Sequence, residues 1–154
     1  MTLNSFRALL IKVISLATSL LLSLMAVIYM AQVIFRYVIQ KPLVWADELS
    51  GFLMVWVVFL GAVVALHEKT HINIDILWQV LPFKFKRVLV WTCDILVLFV
   101  AIILAAYGYK VIKGSIGMMA TSIDIPYAPV YSIIPISGVL MITVLLMSWL
   151  AKKK

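Results

Sequence analysis

The sequence predicts an all-α integral membrane protein with four transmembrane helices joined by short connections. The first observation is composition: 66% of the 154 residues are hydrophobic and only 12% are charged, with a mean hydropathy of +1.18. A soluble domain has roughly 45–50% apolar and about 25% charged residues. The second observation is that the apolar residues form four runs, each close to the length of about 20 residues that a spanning helix needs. No polar segment is long enough for a separate soluble domain, so we expect a single membrane domain over residues 1–154.

The four predicted spans follow one another at about residues 13–35, 49–66, 88–109 and 130–150. The first run is longer than a signal-peptide core of about 7–15 residues and has no small-residue cleavage site, so we expect it to be retained. Pro135 is expected to start or kink the fourth helix, because proline lacks the backbone N–H that a helix interior needs. The short apolar piece at 76–81 predicts a helix that lies in the membrane interface.

Basic residues determine the predicted orientation. Nine Lys and Arg residues fall on the side of the two termini and the second connection, and four fall on the other side, namely Arg36, Lys41, Lys110 and Lys113. The positive-inside rule then places both termini in the cytoplasm. The net charge of +7 could indicate nucleic acid, but basic residues at the ends of apolar runs indicate membrane lipids instead.

Small residues on the first two spans predict close packing between helices. Ser15, Ser19 and Ser23 recur every four residues on one face, and Gly61 is followed four residues later by Ala65. This spacing lets helix backbones approach each other in lipid. The alternative is that the serines are simply tolerated in an apolar helix and have no packing role.

The first connection carries the most distinctive charge. Arg36 ends the first apolar run on the side with fewer positive charges, so orientation does not require it. Two interpretations stay open. In one, Arg36 reaches a lipid phosphate. In the other, its planar guanidinium holds a carboxylate of Asp47, of Glu48 or of another subunit. Trp45 is placed for the aromatic belt at the headgroups.

The segment 67–71 matches the His-Glu-x-x-His pattern of zinc metalloproteases, with His67, Glu68 and His71 in the motif positions. An intramembrane protease is the corresponding function. The context argues against it, because the motif ends a span, precedes an alternating stretch and has no further histidine to complete a ligand set. We expect a polar cluster at a helix end, with no metal and no cofactor.

Asp94 is the one acidic residue inside the predicted spans. An acid at mid-bilayer costs about 2.5–3.5 kcal/mol on insertion scales, so such a side chain faces protein or water. It could relay a proton or ion, or it could form hydrogen bonds near the cytoplasmic interface or to a partner helix. The other spans have no charged residue or histidine at their centres, and no pair of broken helices marks a midplane transport site. We therefore expect that the chain does not move a polar substrate alone.

The sequence resembles the small membrane subunit of tripartite ATP-independent periplasmic (TRAP) transporters, the DctQ-like family. The resemblance lies in the order and spacing of four segments: Phe35-Arg36-Tyr37, Trp45-Ala46-Asp47-Glu48, Phe59-Leu60-Gly61-Ala62 and His71-Ile72-Asn73-Ile74-Asp75. Within the last segment, His71 and Asp75 match the family's His-x-x-x-Asp. The third and fourth spans match only in kind.

The resemblance implies a bacterial inner-membrane subunit that is not an enzyme. In such systems a large membrane subunit carries the substrate and sodium sites, and a soluble periplasmic protein captures the substrate, either sialic acid or a C4-dicarboxylate. The expected contacts with the large subunit or with lipid are Arg36, Trp45, Asp47, Glu48, Ser15, Ser19, Ser23 and Gly61.

Lys41, Lys110 and Lys113 are expected on the face where the binding protein docks. No role is assigned to the polar residues His71, Asp75 and Asp94. A self-sufficient four-helix transporter is the main alternative, but it is expected to carry an essential acid in its first span, where this chain has none.

Overall fold

The computed structural model describes residues 3–68 and 83–152, and the surroundings of side chains over 7–68 and 88–150. Its helices are α1 (Leu3–Tyr37), α2 (Val44–His67), α3 (Phe83–Gly114), α4 (Tyr127–Tyr131) and α5 (Ile133–Lys152). Four stretches are long and apolar enough to cross a membrane, the last of them running through α4 and α5. The predicted all-helical fold with four spanning helices is confirmed. The interfacial helix expected at 76–81 lies outside the described residues.

The turn between α1 and α2 is short and tightly bonded. The backbone N–H of Lys41 donates to the carbonyl of Phe35 at 3.0 Å, which folds the chain back over the last turn of α1. Gln40 adopts a left-handed conformation with φ of 57°, which is unfavourable for a residue with a side chain. Pro42 then keeps the chain out of a helix until α2 begins. The two helices are therefore antiparallel neighbours.

The helices form two antiparallel pairs, α1 with α2 and α3 with α5, and the pairs join where α2 packs on α5. The shared core is formed by buried side chains from α1, α2 and α5: Ile11, Ile14, Leu60, Val63, Ile133 and Val144. α1 meets α5 only at its margin, so α1 and α3 are the outer helices of the described part. Their outer faces carry exposed large apolar side chains, as expected where lipid or another subunit covers them.

The α1–α2 seam follows a repeat of three and four residues, the spacing of a coiled-coil seam. Along α1, the positions at this spacing are all buried or half-buried: Ile11, Ile14, Thr18, Leu21, Met25, Ile28 and Gln32. Ser19 and Ser23 lie on another face and are exposed, while Ser15 is half-buried. Gly61 faces this seam, and a Cβ placed there would be 3.9 Å from the methyl of Thr18, an ordinary van der Waals distance.

The α3–α5 seam is much closer. A Cβ placed at Gly138 would be 2.7 Å from both the carbonyl oxygen of Ala101 and the amide nitrogen of Ala105, and one placed at Gly108 would be 2.7 Å from Cδ of Pro135. The closest helix contact described is thus in the second pair, whereas the spacing of small residues predicted close packing on the first two spans. The fourth span is interrupted at Ser132, because Pro135 cannot donate to the preceding turn.

Candidate functional site

Polar side chains gather at the two ends of the bundle. We call the end with the turn 38–43 and the connection 115–126 the connection end. The opposite end, where α1 begins and α5 finishes, is the terminal end. The antiparallel arrangement brings the finish of α1 and of α3 and the start of α2 and of α5 together at the connection end. Seven of the residues singled out in the sequence lie there: Arg36, Lys41, Trp45, Asp47, Glu48, Lys110 and Lys113.

Asp47 joins α2 to α1 at the connection end. Its Oδ1 accepts a hydrogen bond from Nε2 of Gln32, and its Oδ2 lies 3.4 Å from Nη2 of Arg36. Asp47 and Glu48 were both predicted as possible partners of Arg36, and within the described residues Asp47 is the one that contacts it. The contact is a single long one with no fork, and the Arg36 and Asp47 side chains are 50% and 58% exposed. Exposed pairs of this kind are worth about 0–1 kcal/mol.

Gln32 is the buried member of this group and was not predicted. Only 5% of the residue is exposed, so its amide needs a partner inside the protein, and Asp47 supplies it. A hint was available in the sequence: Gln32 is a strongly polar residue in the charge-free run 13–35, one helical turn before Arg36 on the same face.

Glu48 joins α2 to the connection between α3 and α5. Its Oε1 accepts from the backbone N–H of Thr121 at 2.8 Å, and its Oε2 accepts from the backbone N–H of Ser122 at 2.6 Å. Two consecutive carboxylates on α2 therefore point to different neighbours. Asp47 holds α1, and Glu48 holds the 115–126 connection. The partners of Glu48 could not be predicted from residue types, because they are main-chain groups.

The predicted docking lysines share this end. Lys41, Lys110 and Lys113 are all exposed, and Nζ of Lys110 lies 4.7 Å from the ring centre of Tyr107. Trp45 is 42% exposed in the first turn of α2, a position suited to the headgroup region. These basic and aromatic side chains therefore lie at the same end of the bundle as the carboxylate contacts.

At the terminal end, each helical pair is linked by a side-chain hydrogen bond of its own. Nε of Arg7 donates to Nδ1 of His67 at 3.1 Å, which links α1 to α2. Nε1 of Trp149 donates to Oδ2 of Asp94 at 3.1 Å, which links α5 to α3. Asp94 lies at the opposite end of the bundle from Asp47 and Glu48. Its hydrogen bond to Trp149 joins two helices, which is one of the interpretations that the sequence left open for Asp94.

The remaining polar candidates belong to the segment between α2 and α3. His71 and Asp75 lie outside the described residues. Within residues 3–68 and 83–152, no group of three or more His, Cys, Asp or Glu side chains is close enough to hold a metal ion.

Comparisons with known proteins identify the family of this chain. The sequence profile of the family described as "Tripartite ATP-independent periplasmic transporters, DctQ component" matches residues 25–152. A Haemophilus influenzae protein described as a TRAP transporter small permease is 25% identical over 126 residues, which are 82% of this chain and 78% of that protein.

Two further relatives carry a substrate in their names. The sialic acid TRAP transporter small permease SiaQ of Vibrio cholerae is 24% identical over 107 residues, 70% of this chain and 62% of SiaQ. The sialic acid TRAP transporter permease SiaT of Haemophilus influenzae is 38% identical over 60 residues, 39% of this chain but only 10% of SiaT.

Proposed function

Because the chain belongs to the DctQ family of TRAP transporters and is a small permease subunit, we propose that it supports sodium-driven uptake of an organic acid. The observation that carries this proposal is the family match over residues 25–152, which covers the second, third and fourth spanning stretches in full and the first from residue 25 onward. The chain is a transporter subunit and not an enzyme, so the His67–His71 motif is not assigned to zinc catalysis.

The substrate is proposed to be sialic acid or a C4-dicarboxylate. SiaQ and SiaT are named for sialic acid, but identities of 24% and 38% over parts of the chain do not extend a substrate to this protein. Recognition is expected on other subunits, because Asp94, the one acid within the predicted spans, is engaged by Trp149. Competition of labelled substrate uptake by unlabelled sialic acid and by unlabelled succinate distinguishes the two classes.

The large membrane subunit is the proposed partner of the outer face of α1. Ser19 and Ser23 are exposed there with Ser15 half-buried beside them, and the other residues that the structure describes leave Ser19 and Ser23 uncovered. Small residues at this spacing allow a second helix to approach closely. Arg36, Trp45 and the first turn of α2 are proposed to extend the contact toward the headgroups.

Bulk added to the serine face tests this assignment. We expect Ser19→Trp to reduce co-purification with the large subunit, while Leu20→Trp, which places the same indole ring on the neighbouring exposed flank of α1, leaves it intact. Equal recovery of both variants with the large subunit would exclude the serine face as the contact.

The connection end is proposed to face the periplasm, with both termini in the cytoplasm. This follows the distribution of basic residues and puts Lys41, Lys110 and Lys113 where a soluble binding protein arrives. In a Cys93→Ser background, a cysteine at position 113 should react with a membrane-impermeant thiol reagent in intact spheroplasts. A cysteine at position 12 should react only after permeabilisation, and the opposite pattern would reverse the topology.

Reconstitution tests the function as a whole. Proteoliposomes with this chain, the large subunit and the binding protein should accumulate substrate when an inward sodium gradient is imposed. Omission of this chain should abolish uptake, as should omission of the large subunit. Uptake by this chain alone would show a self-sufficient transporter and contradict the proposal.

A further inference from the structure

The contact of Glu48 with the 115–126 connection is unusually specific for a surface carboxylate. Its two oxygens accept separately from the consecutive backbone N–H groups of Thr121 and Ser122, at 2.8 and 2.6 Å. Hydrogen bonds to a charged acceptor are roughly twice as strong as neutral ones. Because the donors belong to the main chain, the contact fixes the path of the connection and not the rotamer of one side chain.

Backbone hydrogen bonds within and beside the connection also stabilise its conformation. The backbone N–H of Ala120 donates to the carbonyl of Ile125, and that of Tyr127 donates to the carbonyl of Met118, each at 3.1 Å. Thr121 and Ser122 lie inside the loop closed by these two bonds. Glu48 therefore holds the loop from outside, on the side of α2.

The loop presents an apolar surface beyond the membrane-spanning part of α3. Ile116 is 68% exposed, Met118 58% and Met119 64%. They follow Lys110 and Lys113, the charges that end the apolar run of α3, so hydrocarbon chains of the bilayer are not expected to cover them. A cluster of exposed large apolar side chains with a polar rim is typical of a protein contact surface.

We propose that Glu48 is a positioning residue that holds the 115–126 connection as a docking surface for the soluble substrate-binding protein. Ile116, Met118 and Met119 form its apolar centre, and Lys110 and Lys113 form a basic rim. The complementary surface of the binding protein is apolar with acidic residues around it. This assignment rests on the proposed function, which supplies a soluble partner on this side of the membrane.

The choice of a soluble partner follows from position and charge. Bilayer hydrocarbon is expected on the other side of the two lysines, and the expected contact with the large subunit lies on α1, at the opposite edge of the row of helices. A basic rim increases the encounter rate with an acidic soluble protein and makes it sensitive to salt. Lipid headgroups and the large subunit remain as the competing occupants that the experiment distinguishes.

Amide hydrogen exchange of the purified chain tests the positioning role directly. Glu48→Ala should accelerate exchange at Thr121 and Ser122, and Glu48→Gln should do so less, because its amide oxygen still accepts from one N–H. The amides of Ala120 and Tyr127 should keep their protection, since their acceptors lie within the loop. Asp124→Asn is the matched control, because it removes the same charge from the exposed surface of the same loop. Unchanged exchange in Glu48→Ala would overturn the positioning role.

Transport measurements test the docking role. In proteoliposomes titrated with binding protein, Glu48→Ala should raise the half-saturating concentration roughly tenfold, the equivalent of about 1.4 kcal/mol. The maximal rate should stay near that of the wild type, and Glu48→Gln should lie between the two. A general loss of stability would instead lower the maximal rate.

The apolar centre has its own test. Replacing both Met118 and Met119 by serine should raise the half-saturating concentration without changing exchange at Thr121 and Ser122. If the double variant loses the large subunit on purification, or changes only the dependence on lipid composition, the surface has a different occupant and the docking assignment is wrong. A wild-type complex without any uptake would refute the proposed function, while the exchange result would still decide the role of Glu48.

Discussion

The two helical pairs reach close packing by different means. The α1–α2 seam is filled by large side chains in a repeat of three and four residues, and its glycine, Gly61, has ordinary van der Waals space beside it. In the α3–α5 seam, Gly108 and Gly138 lie against the neighbouring helix without room for a Cβ. One seam therefore depends on side-chain volume, and the other depends on its absence.

In each seam an uncharged side chain donates a hydrogen bond to a carboxylate, but at opposite ends of the bundle. Gln32 donates to Asp47 at the connection end of the first pair, and Trp149 donates to Asp94 at the terminal end of the second. Apolar packing gives little preference for protein over lipid, so helix pairs in membranes rely on close van der Waals contact and interhelical hydrogen bonds. The following substitutions test how much the stability of each seam depends on close packing and how much on its hydrogen bond.

The largest loss of stability is expected at Gly138, where α5 approaches the backbone of α3 most closely. Gly138→Ala places a methyl group against the backbone of Ala101 and Ala105, which cannot rotate away, so we expect destabilisation at or above about 3 kcal/mol. Gly61→Ala is the matched control. Its effect should lie between none and a stabilisation of about 1 kcal/mol, because alanine favours a helix more than glycine does.

Unfolding of the purified chain in mixed detergent micelles measures both variants. Equal destabilisation by the two alanines would mean that the seams do not differ as described. A neutral Gly138→Ala would show that α3 and α5 are further apart than the structure has them.

The difference between the seams shows where sequence reasoning succeeded. Bilayer thickness sets the length of a spanning helix, so four apolar runs were enough to predict four helices. Ala101 and Ala105 have the same small-residue spacing as Gly61 and Ala65, but which of these faces meets another helix depends on the register between elements. Runs of apolar residues do not encode that register.

The candidate site was predictable only in part. Arg36, Asp47 and Glu48 stand out because charges are rare in this chain, and they do lie together at the connection end. Their hydrogen-bond partners were harder to predict from the sequence. Gln32 is identifiable by its polarity within an apolar run, but Glu48 binds backbone N–H groups of residues more than 70 positions away, and every non-proline residue has such a group.

The second prediction concerns the buried amide of the first seam. Asp47→Ala removes the acceptor of Gln32, which is 5% exposed, and leaves its amide without this partner, at a cost of about 1–3 kcal/mol. Asp47→Asn keeps an oxygen in the same place and should recover most of the loss. If asparagine is as damaging as alanine, the negative charge matters more than the hydrogen bond to Gln32.

The third prediction removes the corresponding donor of the second seam. Trp149→Phe retains an aromatic ring beside Trp91 but deletes the N–H that reaches Asp94, so we expect a loss of about 1–1.5 kcal/mol in the same unfolding assay. Asp94→Asn, which keeps an acceptor oxygen, should cost less. Abolished transport with Asp94→Asn, despite normal stability and subunit assembly, would favour the ion-relay interpretation instead.

The smallest effect on the isolated chain is expected for Arg36. Its single contact with Asp47 spans 3.4 Å between two half-exposed side chains, so Arg36→Ala should change the free energy of unfolding by about 0.2–1 kcal/mol. A loss above about 2 kcal/mol in the isolated chain would mean that the ion pair is less solvated than the structure has it.

The same substitution becomes informative when the large subunit is present. If the large subunit covers Arg36 and offers it a carboxylate, Arg36→Ala should weaken assembly by about 2–5 kcal/mol, because the other charge is left buried and unpaired. Arg36→Lys should recover only part of this loss, since an ammonium keeps the charge but cannot fork onto a carboxylate. An assembled complex that is insensitive to Arg36→Ala places the guanidinium at lipid phosphate. In that case Arg36 contributes nothing to the assembly, and its contribution to the α1–α2 seam is limited to the exposed contact with Asp47. The other polar contacts across that seam are the hydrogen bonds of Gln32 to Asp47 and of Arg7 to His67.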